Sequence, residues 1–133
     1  MNKKSYKYKK DNVGGFFKLL RILIRNYVWL LPRAWSAKHG VMARLKELGW
    51  KTKGADLSLG FAEPELLSLA ITFETDKELR KIENSSVAKE VKNIFQLRLK
   101  KHHYPSWAVP KTEVTFHSLE TINRAGGWYN YFK

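Results

Sequence analysis

The sequence contains no cysteine. That excludes a disulfide framework and any thiolate metal site. It also lacks an apolar run free of charge that is long enough to cross a bilayer. The best candidate, Phe16–Leu31, is interrupted by Lys18, Arg21 and Arg25, and a charge at bilayer depth costs about 2.5–3.5 kcal/mol on insertion scales. The basic start, MNKKSYKYKK, is followed by no small-residue cleavage site, so the expected location is cytoplasmic. Phosphate-cradling glycine loops and nucleophile elbows are missing too. Gly14-Gly15 and Gly126-Gly127 have neither the setting nor the spacing of such loops. Of the four histidines, His102 and His103 are adjacent, a spacing that suits no common zinc site. No metal and no cofactor are expected, and the reading is a binding protein rather than an enzyme.

Acidic residues are scarce, with 12 Asp and Glu against 25 Lys and Arg, for a net charge of +13. The imbalance is local. Residues 1–53 hold 14 Lys or Arg and only Asp11 and Glu47, whereas residues 54–133 hold 11 Lys or Arg and ten acids. A basic third joined to a nearly neutral remainder points to an acidic partner for that third, either nucleic acid, an anionic membrane surface or an acidic protein.

The length suits one core. Residues 1–12 read as a disordered basic arm and residues 13–133 as a single α+β domain, a mostly antiparallel sheet with helices packed on one face. Phe16–Leu31 has helical periodicity and an apolar face too wide for an ordinary surface helix, so it is expected in the core with its arginines reaching out. Pro32 is expected to end it. A second helix is expected over Val41–Leu48, stopped by Gly49 with Trp50 folding back. Leu57–Phe61 reads as an edge strand. Leu66–Glu74 alternates, with Leu67, Leu69, Ile71 and Phe73 on one face. Thr75-x-x-Glu78 is a capping box that opens a helix reaching Lys101, with Asn84-Ser85-Ser86 as an interruption. Thr112–Ser118 reads as a strand with Val114 and Phe116 inward, Ser118–Ala125 as a helical turn, and Trp128–Phe132 as a final strand antiparallel to the one before it.

Two constellations carry possible chemistry. The alternation of Lys3, Lys4, Lys7, Lys9 and Lys10 with Tyr6 and Tyr8, continued by Lys18, Arg21 and Arg25, suits phosphate neutralisation with base stacking. The same spacing also describes a solubilising tail. Glu113 and His117 share a strand face, and with Arg124 they offer the base, acid and phosphate clamp of a small basic ribonuclease. A plain solvent-facing strand side produces the same pairing, and Glu63 and Glu65 read as an exposed turn around Pro64.

The second half carries a further pattern. ITFETDKEL leads from strand to helix, and the chain closes on YPSWAVPKTEVTFHSLETINRAGGWYNYFK, with His-Ser ending a strand, Glu120 in a turn, then Gly-Gly-Trp-Tyr and aromatics. From Leu67 to Lys133 this resembles small bacterial immunity proteins of contact-dependent growth inhibition and related polymorphic toxin systems. The basic third lies outside the resemblance. The resemblance implies a cytoplasmic antidote that binds one cognate toxin domain and blocks it, without catalysis or cofactor. The charge departs from that pattern, because a +13 antidote needs a toxin with an acidic face or must bind through its neutral half. Interface candidates are Trp107, His117, Glu120, Arg124, Trp128, Tyr129 and Tyr131, chosen for the weight that aromatic and charged anchors carry in interfaces. Nucleic-acid binding stands as the alternative and the ribonuclease third, with peripheral membrane contact behind them.

Overall fold

A computed structural model describes the backbone of residues 3–132, and side chains from Gly14 onward except that of Phe61. Among the described residues, five α-helices and a three-stranded sheet form an α+β fold.

Helix α1 runs unbroken from Lys3 to Glu47 with Pro32 inside it. The sequence predicts two helices here and a disordered arm before them; instead the backbone is helical from Lys3. The side chains of that arm lie outside the described residues. Pro32 is tolerated because it sits on the exposed side of the helix, where the carbonyl it leaves unpaired belongs to exposed Val28. One residue on, Arg33 Nη1 donates to the Trp29 carbonyl at 2.6 Å, and its guanidinium lies 4.4 Å over the Trp29 ring.

The core face of α1 is also not where the apolar density of the sequence places it. Phe16, Phe17, Val28 and Trp29 are exposed. The buried seam is Leu30, Ala34, Ala37, Val41 and Leu45, spaced four and three residues apart as one helix face requires. Small residues let α1 approach its neighbour α3 (Val87–Lys101) closely, and a Cβ at Gly40 would lie 2.4 Å from Arg98 Nε. Gly49, at φ 87°, ends α1 as expected. Its N–H donates to the Lys46 carbonyl, and Trp50 N–H to that of Leu45.

Strand β1 (Gly54–Leu59) pairs antiparallel with β2 (Leu67–Phe73), which pairs parallel with β3 (Glu113–Ser118). The sheet is therefore mixed, with β2 central. Leu67, Leu69, Ile71 and Phe73 are buried against the α1 seam and against Val91, Phe95 and Leu99 of α3. Val114 and Phe116 pack half-buried on the same side, as the alternation requires. Helix α2 (Asp76–Glu83) opens on the expected cap, with Thr75 Oγ1 accepting from Glu78 N–H, and the 84–86 interruption separates it from α3. The parallel β2–β3 step is possible because α2 and α3 supply the long crossover that a parallel pair needs.

The chain then turns into α4 (Leu119–Arg124), capped by Ser118, and α5 (Trp128–Tyr131). The expected final strand over Trp128–Phe132 is thus a helical turn, and among the described residues β3 has no antiparallel partner after it. Gly126 and Gly127, at φ 92° and 107°, turn the chain sharply after α4 and bring the aromatics back over the sheet.

Candidate binding groove

One face of the sheet is covered by α1 and α3. The opposite face carries the outward residues of all three strands. The register sets Ser58 beside Ser68 and Ser68 beside Glu113, and it sets Asp56 beside Ala70 and Ala70 beside Thr115. Small side chains on the central strand leave the middle low, while Asp56 and Glu113 rise at the two edges. Trp128 and Phe132 close one end. The result is a groove of about 550 Å³ lined by these residues and His117.

The closing wall follows from helical geometry. Trp128 and Phe132 are four residues apart, so α5 presents both on one side. Their rings stack with centroids 5.3 Å apart and planes 8° from parallel. Tyr131 anchors the wall, its hydroxyl lying 2.8 Å from His117 Nδ1, while His117 Nε2 lies 2.8 Å from Thr115 Oγ1. Both ring nitrogens are therefore engaged. Burial holds the His117 pKa below the usual histidine value, against a smaller opposing pull from the Glu83 carboxylate.

A second cluster joins α2 to α4. Asp76 accepts from the hydroxyls of Ser118 and Thr121, the latter at 2.7 Å, and from Arg124 Nη2 at 2.5 Å. Hydrogen bonds from Ser118, Thr121 and Arg124 hold the Asp76 carboxyl well below the usual carboxylate range. Arg124 is thus committed to Asp76.

The candidates from the sequence separate into groups. His117 and Trp128 line the groove and Tyr131 supports it. Arg124 belongs to the Asp76 cluster. Glu120 is exposed on α4, and Tyr129 is exposed beside the groove wall. Trp107 is exposed on the α3–β3 connection and is not part of the groove lining. Glu113 and His117 lie on one face but four residues apart, about 13 Å of strand rise, and Arg124 is turned to Asp76. The base, acid and clamp of a ribonuclease are therefore not gathered at one point. Lys18, Arg21 and Arg25 are exposed on α1, and the side chains of Lys3, Lys4, Lys7, Lys9 and Lys10 lie outside the described residues.

Sequence reasoning missed Asp56, Ser58, Ser68 and Phe132. The first three occupy outward positions of their strands; alternation makes Ser58 and Ser68 legible, whereas Asp56 lies before the predicted Leu57–Phe61 strand, and which strands lie side by side is not legible. Phe132 was hidden by the strand reading of the C-terminus. Compared with known proteins, the chain matches no family model, no curated sequence and no solved structure.

Proposed function

We propose that this protein is an antidote of the immunity type, which neutralises a cognate toxin domain by holding part of it in the groove on the open sheet face. The observation that carries this reading is the groove itself. It has a low floor of small side chains, carboxylates on both edges and a stacked Trp128–Phe132 wall. Asp56 and Glu113 favour a cationic group of the partner, and the aromatic wall favours its aliphatic stem. In this reading the partner meets the nearly neutral half of the chain with a basic segment, and the acidic toxin face required by the net charge alone is not needed. The occupied nitrogens of His117 and the distance from Glu113 support binding over catalysis.

The test is capture of the tagged protein from its native cells, with and without nuclease, followed by co-expression with the captured partner. A stoichiometric protein should survive nuclease, and its toxicity should be suppressed by the wild type and not by Glu113→Lys. Nucleic acid alone, lost on nuclease treatment, would overturn the proposal.

Nucleic-acid binding through α1 is the second reading, favoured by the exposure of Lys18, Arg21 and Arg25 along one face. Those cations sit among large exposed apolar groups, however, which a phosphate backbone does not bury.

A further inference from the structure

The first half of the described part of α1 is unpartnered. Phe16, Phe17, Ile24, Val28 and Trp29 each keep more than half of their surface exposed. At 3.6 residues per turn, Lys18, Arg21 and Arg25 fall within an arc of about 60°, and apolar side chains occupy most of the remaining circumference. Among the described residues, the hydrogen bonds that tie this segment to the domain lie at its end, where Asn26 Nδ2 donates to the Ala62 carbonyl at 3.2 Å and the Tyr27 hydroxyl to that of Leu59 at 3.0 Å.

We infer that this segment binds an anionic phospholipid surface. It lies along the interface with its apolar groups among the upper acyl carbons and its cationic stripe at the phosphates. Charge complementarity is the first argument. Residues 1–31 carry eight Lys or Arg against the single acid Asp11, and each cation near an anionic surface adds to its attraction. The breadth of the apolar arc is the second. A protein groove takes one stripe of anchors from a helix, which would leave most of these groups in water, whereas a fluid lipid phase meets them over a wide arc. A second copy of this chain is disfavoured because pairing would bring two strongly cationic segments together. Trp29 and Trp35, both exposed, suit the headgroup level, where an apolar ring with a polar N–H is at home. Among the described residues no helix is long and apolar enough to cross a membrane, so the contact is peripheral. This inference is independent of the groove.

The test is co-sedimentation of the full chain with vesicles of phosphatidylcholine alone and of equal parts phosphatidylcholine and phosphatidylglycerol. The wild type should pellet with the mixed vesicles. Replacing Lys18, Arg21 and Arg25 together by Gln should weaken partitioning on the order of a hundredfold. Phe17→Asp with Ile24→Asp should abolish it while leaving the folded domain's circular dichroism and melting intact, since both positions are exposed. Wild type remaining in the supernatant with mixed vesicles would overturn the inference. So would equal binding to both vesicle types, or binding by the aspartate variant at wild-type strength, which would mark simple polyanion attraction.

Discussion

The Tyr131 hydroxyl lies 2.8 Å from Nδ1 of His117, joining the last helical turn of the chain to the edge strand of the sheet. This contact ties the aromatic wall to the sheet. Tyr131→Phe removes one hydrogen bond and leaves the ring in place. It should cost about 0.5–1.5 kcal/mol of stability, read by thermal unfolding, and should raise amide exchange in α5 before that in β3.

The same histidine gives a pH dependence with a definite sign. Its folded pKa lies below the unfolded value of 6.5, so between those values the unfolded chain binds the proton and the native one does not. The contribution of His117 to stability is fully present above pH 6.5 and declines as pH falls through the folded pKa. An NMR titration of His117 should place its midpoint below 6.5, and His117→Gln should flatten melting temperature against pH in that window. A midpoint above 6.5 would contradict the buried setting of the ring.

Ser118 holds two elements at once. It caps α4 by accepting from Thr121 N–H and donates to Asp76 at the start of α2. Ser118→Ala should cost about 1–2 kcal/mol, the upper range for a lost helix cap. Asp76→Asn should weaken the same junction. Because the Asp76 pKa is lowered from 3.8, its contribution is present above that value and lost as pH falls below it. The wild type should therefore show an acid-induced loss of stability that the Asn variant lacks, read by melting temperature from neutral pH downward.

Pro32 is an internal helix proline on an exposed face. Pro32→Ala restores an N–H donor to the Val28 carbonyl and removes the ring clash, so it should raise stability by up to about 3 kcal/mol. A fall in melting temperature on this substitution would mean that the backbone geometry proline imposes at position 32 is needed for α1 to pack on the domain.

Gly40 of α1 faces the Arg98 side chain of α3, whose Nε would lie 2.4 Å from an added Cβ. Arg98 is exposed and can swing away from a methyl group, so Gly40→Ala should fall within about 1 kcal/mol of wild type, its helix propensity offsetting the contact. Gly40→Leu should destabilise by about 1–3 kcal/mol, because the added carbons must force the helices apart. Equal stability of both variants would show the interface to be looser than its geometry indicates.

Local patterns placed the inward faces of β2 and β3, the capped start of α2, the interruption at Asn84–Ser86 and the stop at Gly49. In each case the signal is short-range: alternating residues, one cap, one glycine. The α+β class follows from their order. Two local signals were outweighed. Pro32 marks a helix end in isolation, but the seam from Leu30 to Leu45 buries enough apolar surface against α3 and the sheet to carry the helix through it. WYNYF reads as a strand by residue type, yet the turn at Gly126-Gly127 delivers the aromatics as a helical wall.

The groove was half legible. Glu113, Thr115, His117, Ser58 and Ser68 are outward-facing by alternation, and that much belongs to the sequence, whereas Asp56 lies before the Leu57–Phe61 strand that the sequence predicts and inside the observed Gly54–Leu59. Their assembly on one surface depends on β3 lying parallel beside β2, with α2 and α3 as the crossover, which no local pattern encodes. The amphipathic character of α1 and the charge of the first third were likewise in the residues from the start. Only the tertiary structure decided that its largest apolar side chains face outward, because the sheet and α3 are already filled by the smaller seam farther along the helix.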